Sequence, residues 1–365
     1  MGVGSWLFSR TKLYKELIRS VGTQVYSELL RLVQNRPAYP PDNTDTYINE
    51  GYLYNPLVYS IVSFIAQKAG AIPWGVYEVK EEKALRAYKS ATKYDFNVKA
   101  VKTKALIALP DHELNQLFST PNVMQGWAEF FEQVCGFKLI TGDSYIHCIG
   151  PEGGQNAGKV KELWSIPSQI IKPIGGDRME PIKGYQYLQQ SDLIPPEQII
   201  HLKYWTPEYL SGAFLYGLSP LRAAKRVMTK SNSSYDSFVS SFQNMGAFGF
   251  ISPNSEKSDF TEEQAEMIEK RFARKTGPNN WGKPIITAAD IKWQQIGMSP
   301  VDLNIIESDK MDLRTLCNIY HIGSELMGDS TNKTYSNMKE AGSAAYTNAI
   351  IPLLNQFRDA FNLYI

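Results

Sequence analysis

The chain has 365 residues, 43% of them hydrophobic, and its 38 basic and 37 acidic side chains leave a formal net charge of +1. That length buries a large core and predicts two or three domains. Near-neutrality argues against a protein that grips nucleic acid by bulk charge, because phosphate neutralisation needs clustered Lys and Arg, but it does not exclude one that lets DNA slide past. Cys135, Cys148 and Cys317 lie far apart with no CxxC pair, which fits a reduced, cytoplasmic setting. His112, His147, His201 and His321 are scattered without HxxxH spacing, so neither a metal nor a cofactor is expected. The first residues read neither as a signal peptide nor as a myristoylation pattern, since Trp6 stands where Ser or Thr is needed. The longest apolar helix, around 57–72, is interrupted by Ser60, Ser63, Gln67 and Lys68, so no membrane span is expected.

In chain order, Leu13, Leu17, Val21, Val25 and Leu29 recur at helical spacing and predict an amphipathic helix over 11–36. Residues 37–50, rich in Pro, Asp, Asn and Thr, read as an extended linker or arm. Pro56 is placed to open a helix running to about Gly70, with Val58, Ile61, Val62, Ile65 and Ala69 as its buried stripe. Residues 74–79 alternate like a strand, and 80–104 read as an exposed, charged helical insertion or loop. Helices are expected over 113–118 and 124–140, the second heavily packed through Trp127, Phe130, Phe131, Val134 and Phe137. Beyond Gly142-Asp143 the runs 144–149, 160–166, 170–174, 185–188 and 199–204 are short, β-branched and aromatic, and predict an antiparallel meander.

Ser219-Pro220 starts another helix, with Leu221, Ala224, Met228, Tyr235, Phe238 and Phe242 on one face. Continuous to Met245, it spans about 27 residues and roughly 40 Å; the Ser231–Ser234 stretch has poor helix propensity and offers a bend. Residues 246–296 read as a small α/β unit. Its strands are expected over 248–252, 284–287 and 291–296, around a helix over 262–275 opened by the Thr261…Gln264 capping pair. A second long helix starts at Ser299-Pro300 and carries apolar periodicity over 302–322. A polar loop, 328–337, and a last helix to the chain end complete the pattern.

Gly153-Gly-Gln-Asn-Ala-Gly158-Lys159 misses the GxxxxGK[ST] phosphate loop by one hydroxyl, because position 160 is Val. The residues after it read as a strand where phosphate needs a helix N-terminus, so a plain hairpin turn is expected. Cys135, on an apolar helical face beside Phe131 and Val134, reads as a buried inert thiol rather than a nucleophile served by His147. The acidic residues are dispersed, without the cluster that two-metal nucleases need. No catalytic residue is therefore expected. The densest basic group is Lys270, Arg271, Arg274 and Lys275, with Lys283 nearby. It either complements a helix C-terminus or contacts DNA or an acidic partner; Trp281 and Trp293 beside it are interface anchors or core. Ser330, Thr331, Asn332, Lys333 and Thr334 make either an ordinary solvent loop or a channel-lining loop whose Lys333 faces phosphate.

Several motifs stand in a fixed order. Asn55-Pro-Leu-Val-Tyr-Ser-Ile-Val-Ser63 leads to Ile72-Pro-Trp74. His201-Leu-Lys-Tyr204, Gly217-Leu-Ser-Pro-Leu221, Gln243-Asn-Met-Gly-Ala247 and the Gly282-Lys283 turn come next. Leu326-Met-Gly-Asp-Ser-Thr-Asn-Lys-Thr-Tyr-Ser-Asn337 and Ile351-Pro352 close the set. In that order, over 55–365, the chain resembles the portal proteins of tailed bacteriophages. It departs from them at Gly323-Ser324, where the family often has Val-Pro, and it stops inside what would be the last long helix.

The resemblance implies an α+β portal fold. Residues 1–50 would be an N-terminal helix and arm, 51–216 a mixed α/β wing, and 217–245 a stem helix. A small α/β clip would span 246–297, a second stem helix 298–322, and a tunnel loop 323–336. Residues 337–365 would be the wing helix leading towards the crown. The resemblance also implies a non-enzymatic ring, commonly of twelve copies, at one capsid vertex, with no cofactor and no membrane. The ring would pass double-stranded DNA without sequence preference. It would dock the large terminase for packaging and the head–tail adaptor for tail attachment and ejection, and it would meet the major capsid protein. Its place would be the virion, after assembly in the host cytoplasm. Two rival readings are a DNA-processing enzyme with a degenerate nucleotide site at 153–159 and a minor capsid protein without a channel.

Overall fold

The computed structural model describes residues 37, 39–90, 98–151, 153, 158–177, 179–243, 249–253, 261–275, 291–295, 305–329, 331 and 335–365. The helix expected over 11–36 lies outside these residues. Residues 42–365 form one unit, and its architecture is α+β.

Asn43 caps a helical turn over Thr44–Thr46 by accepting a 2.7 Å bond from the Thr46 N–H. The chain continues as a π-helix over Tyr47–Leu53. The extended character expected for 37–50 therefore does not extend past Asn43. Tyr47 and Gly51 are buried, and a Cβ on Gly51 would sit 2.6 Å from the Leu221 Cδ1. Tertiary packing imposes helical backbone on a composition that favours turns.

Helix α1 (Pro56–Gly70) comes next, capped by Asn55, whose Oδ1 accepts from the Leu57 and Val58 N–H groups. Strand β1 (Tyr77–Val79) leads into two exposed helices, α2 (Glu82–Ser90) and α3 (Val98–Ala105), and β2 (Leu106–Ala108) returns antiparallel to β1. Helices α4 (Glu113–Ser119) and α5 (Trp127–Thr141) are next in the chain. The main core lies between α1 and α5. At one end Trp74, Phe118, Trp127 and Phe131 pack with ring centroids 5.1–6.0 Å apart. Tilted and edge-on rings at this spacing are favoured by their quadrupoles.

Six strands then form two sheets. Strands β3 (Asp143–Ile149), β4 (Glu162–Ile166), β5 (Ile171–Gly175), β6 (Ile182–Tyr187), β7 (Leu193–Ile194) and β8 (Ile199–Lys203) pair in the orders β4-β3-β8 and β5-β6-β7, all antiparallel. Only β5-β6-β7 is the expected meander. Strand β8 turns back to β3, with Tyr145 opposite His201. Tyr145, Ile166, Ile171, Tyr185 and Ile199 are buried together as a second cluster. Alternation at period two marks each strand but is blind to its neighbour. Residues 153–159 connect β3 to β4, with Gly158 at φ +80 and the Lys161 N–H bonded to the Ile149 carbonyl at 2.8 Å. The phosphate-loop reading fails on this topology, since the next element is a strand and not a helix.

Helix α6 (Pro220–Gln243) runs without a break through Ser231–Ser234. Ser231 and Asn232 are buried there, and the Asn55 Nδ2 donates to the Ser231 Oγ at 3.2 Å and to the Asn232 Oδ1 at 2.8 Å. Strand β9 (Gly249–Pro253), helix α7 (Glu262–Lys275) and strand β10 (Ile291–Gln295) succeed it, β9 pairing antiparallel with β10. The strand expected over 284–287 lies outside the described residues. Helix α8 (Ile305–Ile319) packs on α6. Lys230 bonds Asp312 at 2.6 Å and Tyr235 bonds Asp309 at 3.0 Å. The partners step backwards along α8 as they advance along α6, so the two run antiparallel. Helix α9 (Tyr335–Ala345), a π-turn over Tyr346–Ile350 and α10 (Ile351–Tyr364) end the chain. Pro352 lacks an N–H and crowds the carbonyl one turn back, which accounts for the widened turn before it. Phe357 and Phe361 of α10 close the core against Phe131 (4.8 Å) and Trp74 (5.5 Å).

Candidate functional site

The α6–α8 pair is rooted at one node. Gly142, at φ +86, ends α5, and a Cβ on Gly217 would fall 2.2 Å from the Gly142 carbonyl oxygen. Asp143, buried beside it, accepts from the His201 Nε2 at 2.8 Å and from the Gly217 N–H at 2.7 Å. Tyr145 stacks on the His201 ring at 4.3 Å. Burial holds the imidazole below its ordinary value, with Asp143 opposing. The Ser219 hydroxyl donates to the Ile140 carbonyl and accepts from the Leu221 N–H, capping α6. The Tyr320 hydroxyl donates to the Leu139 carbonyl at 3.0 Å and so ties the end of α8 to the same place.

From that end the chain reaches the polar loop. His321 adopts φ +57, and the Ile322 N–H bonds the Cys317 carbonyl, closing the helix. A 3₁₀ turn over Ser324–Met327 ends at Gly328, φ +94. Asp329 then gathers donors. The Arg314 Nε reaches its Oδ2 at 2.6 Å and Nη2 its Oδ1 at 3.2 Å; the Ser324 hydroxyl donates to Oδ2 at 3.0 Å. The Thr331 N–H and hydroxyl donate to Oδ1 at 3.1 and 2.8 Å, and the Arg314 Nη2 also donates to the Thr331 Oγ1 at 2.8 Å. The Asp329 side chain is 6% exposed and that of Arg314 43%. The Arg314 guanidinium, helped by Thr331 and Ser324, holds the Asp329 carboxyl well below the usual carboxylate range.

Of the loop residues singled out in the sequence, Thr331 is bonded at the loop's root, to Asp329 through its N–H and hydroxyl and to Arg314 through its hydroxyl oxygen. Ser330, Asn332, Lys333 and Thr334 lie outside the described residues, as do Lys283 and Trp281. Helix α7 runs to Lys275, which puts Lys270, Arg271, Arg274 and Lys275 in its last turns. Lys270 is bonded to Glu266 at 2.8 Å, an i,i+4 pair with both side chains largely exposed. Cys135 is fully buried and burial pushes its thiol up, so it is no nucleophile. Among the described residues no His, Cys, Asp and Glu group is placed to hold a metal, and no helix is long and apolar enough to cross a membrane. Sequence reasoning missed Arg314, Ser324 and Asp329. The Asp-Ser-Thr order at 329–331 is an Asx-turn signal that was legible; Arg314, on the preceding helix, carried none.

The fold is the α+β architecture that the sequence resemblance implied. A sequence profile described as Phage portal protein matches residues 56–365. The chain belongs to the phage portal protein family. Uncharacterized proteins of Rickettsia bellii (strain RML369-C) and Rickettsia felis (strain ATCC VR-1525 / URRWXCal2) are each 27% identical to it, over 85% of this chain and 74% of theirs. Its fold is similar to a chain in the neck of an empty gene transfer agent particle, computed with C6 symmetry. That likeness has a TM-score of 0.59 at 24% identity and covers 89% of this chain and 81% of the other. It is also similar to an HK97 family phage portal protein from Corynebacterium diphtheriae, with a TM-score of 0.56 at 12% identity, covering 86% and 88%.

Proposed function

We propose that the chain is a portal subunit, about twelve of which close into a ring at one capsid vertex and conduct double-stranded DNA. The continuous family match over 56–365 carries this reading, and the neck of a native gene transfer agent particle was computed with C12 symmetry. The role is structural rather than enzymatic. In this reading 51–216 is the wing, α6 and α8 are stem helices, β9–α7–β10 belongs to the clip, and 323–336 is the tunnel loop. The clip cations Arg271, Arg274, Lys275 and Lys283 meet the large terminase and later the head–tail adaptor, and the wing meets the major capsid protein. Ring closure by rotation uses two different faces of each subunit. That would cover side chains now exposed, among them Trp205, Tyr209 and Leu210 before the stem, Tyr235 and Val239 on α6, and Met311 on α8. Closed rings with a central hole in negative-stain images of the purified full chain are the expected result. A monomer by native mass spectrometry at micromolar concentration, across several salts, would defeat the reading and favour a capsid protein without a channel.

Lys333 is the one lysine of the tunnel loop, so a ring presents one such charge per subunit to the duplex. Each contact is screened and weak, and contacts without sequence preference suit sliding. Lys333→Ala should leave rings intact and reduce DNA retention, with the deficit growing as salt falls. Retention equal to wild type at low salt would remove Lys333 from the bore.

A further inference from the structure

Strands β1 and β2 pair only with each other among the described residues, and a two-stranded sheet is marginal in water. Its root is pinned: the Asn115 Oδ1 accepts from the Val76 N–H at 3.0 Å, and its Nδ2 donates to the Leu109 carbonyl. Tyr77 stands opposite Ala108, Glu78 opposite Ile107 and Val79 opposite Leu106. The Leu109 N–H bonds the Val76 carbonyl and the Lys80 N–H bonds the Ala105 carbonyl. Bonded pairs alternate in an antiparallel ladder, so β1 spends its bonds on β2 at 76, 78 and 80. Tyr77 and Val79 turn their N–H and C=O groups the other way, to an edge with no strand beside it among the described residues. Their side chains, 45% and 46% exposed, share one face with Leu106 and Ala108. The same module carries excess positive charge. Residues 77–90 and 98–108 hold seven basic and three acidic side chains, a net of +4 in a chain whose total is +1. Arg86 pairs with Glu82 at 3.8 Å, and the Lys102 Nζ lies 5.3 Å from the centre of the Tyr77 ring. Lys80, Lys83, Lys89, Lys99 and Lys104 form no ion pair among the described residues.

We infer that the free edge of β1 receives an extended, acidic segment of a partner protein as a third strand. The segment's backbone pairs with Tyr77 and Val79, its alternate apolar side chains lie on their face, and its carboxylates meet the unpaired lysines. Duplex DNA matches the charge alone, since phosphate offers no strand to pair and nothing apolar to cover Tyr77 and Val79. The inference is independent of the channel reading. The test uses the purified full chain and a short fluorescent peptide alternating Glu with Val. Beside it stand the same peptide with Gln for Glu, a form N-methylated on alternate amides, and a short DNA duplex. The readouts are binding at low salt and amide hydrogen exchange at Tyr77 and Val79.

The acidic peptide should bind about tenfold tighter than its Gln form and should slow exchange of the Tyr77 and Val79 amides. The triple change Lys80→Glu, Lys83→Glu and Lys104→Glu should weaken it by about tenfold. Val79→Pro removes an outward donor and leaves the ladder to β2 untouched; it should weaken binding about fivefold, the loss of one hydrogen bond, and more than Val79→Ala does. Unfolding midpoints show whether each variant keeps its fold. Should Val79→Pro fail to fold, the N-methylated peptide removes the same pairing from the ligand's side and should bind as weakly. A duplex that binds as well as the acidic peptide, with neither Val79→Pro nor N-methylation mattering, makes the module a polyanion patch and overturns the inference. So does an acidic peptide that fails to bind, or one that binds without slowing exchange at Tyr77 and Val79. If the charge reversal breaks self-association of the chain and leaves peptide binding unchanged, the face belongs to a second copy and the inference falls.

Discussion

Asp143→Ala should destabilise the subunit by about 2–6 kcal/mol, roughly 1–3 kcal/mol for each buried donor left unpaired. The carboxylate accepts from two buried donors at once, the His201 ring and the Gly217 N–H. Alanine leaves both unsatisfied in the interior. Both donors use the same oxygen, Oδ1, so Asp143→Asn can keep both bonds and should cost only about 1–2 kcal/mol, the loss of charge assistance. Gly217→Ala should be as severe as Asp143→Ala for another reason. Its Cβ meets the backbone of Gly142 and Tyr204, which cannot move aside as a side chain can. Because α6 starts and α8 ends at this node, the loss should reach ring yield as well as the unfolding midpoint. A midpoint for Asp143→Ala within the error of wild type would show that the node does not hold the helices. His201 adds a pH dependence. Its folded value lies below the ordinary imidazole value, so on acidification the unfolded chain takes the proton first. Stability should therefore fall as pH drops below about 6.5, and His201→Gln should flatten that slope.

Features set by neighbours in the chain were legible in the sequence. Helix α1 was readable because Pro56 and an i, i+3, i+4 apolar stripe are adjacent in the chain, and α7 because its capping pair is. That 153–159 leads into a strand and not a helix was readable because a missing hydroxyl and the strand pattern after it are local facts. Features that depend on partners distant in sequence were not. Period-two alternation marked the strand over 199–203 but not its return to β3. Asp143 and His201 are 58 residues apart, and neither carries a local mark of the other. Helical propensity marked Ser231–Ser234 as a weak stretch, and nothing local showed that Ser231 and Asn232 are bonded to Asn55 within a continuous helix. At the loop, the small polar residues stood out by composition. The arginine that organises its entry looked like any surface cation on an amphipathic helix, because its acceptor is fifteen residues further on.

Lys138→Met should raise stability near neutral pH, an unusual outcome for a buried substitution. Lys138 is 1% exposed and sits where α5, the end of β8 and α10 meet. Its Nζ lies 4.9 Å from the centre of the Tyr204 ring and 5.7 Å from that of Phe357. Two ring faces recover part of the lost hydration of an ammonium, and among the described residues it forms no ion pair. Burial therefore pushes the lysine down to about 8, with Asp143 and Cys135 opposing. The unfolded chain holds the proton up to about 10.4. Between those values the unfolded state binds more protons than the folded one, so stability should rise with pH across the window. The size is about 3 kcal/mol at roughly 1.4 kcal/mol per unit of separation. Methionine fills a similar volume without the charge. The variant should lie above wild type at pH 7, and the gap should shrink to a few tenths of a kcal/mol by about pH 10.5, where the folded lysine is neutral and the unfolded one about half so. Denaturant midpoints at pH 7 and pH 10.5 decide it. A Lys138→Met midpoint at or below wild type at pH 7 would mean that Tyr204, Phe357 and Asp143 hold the ammonium well enough for the charge itself to stabilise this junction, whereas a gap that persists undiminished at pH 10.5 would mean that packing, not the charge, sets the difference.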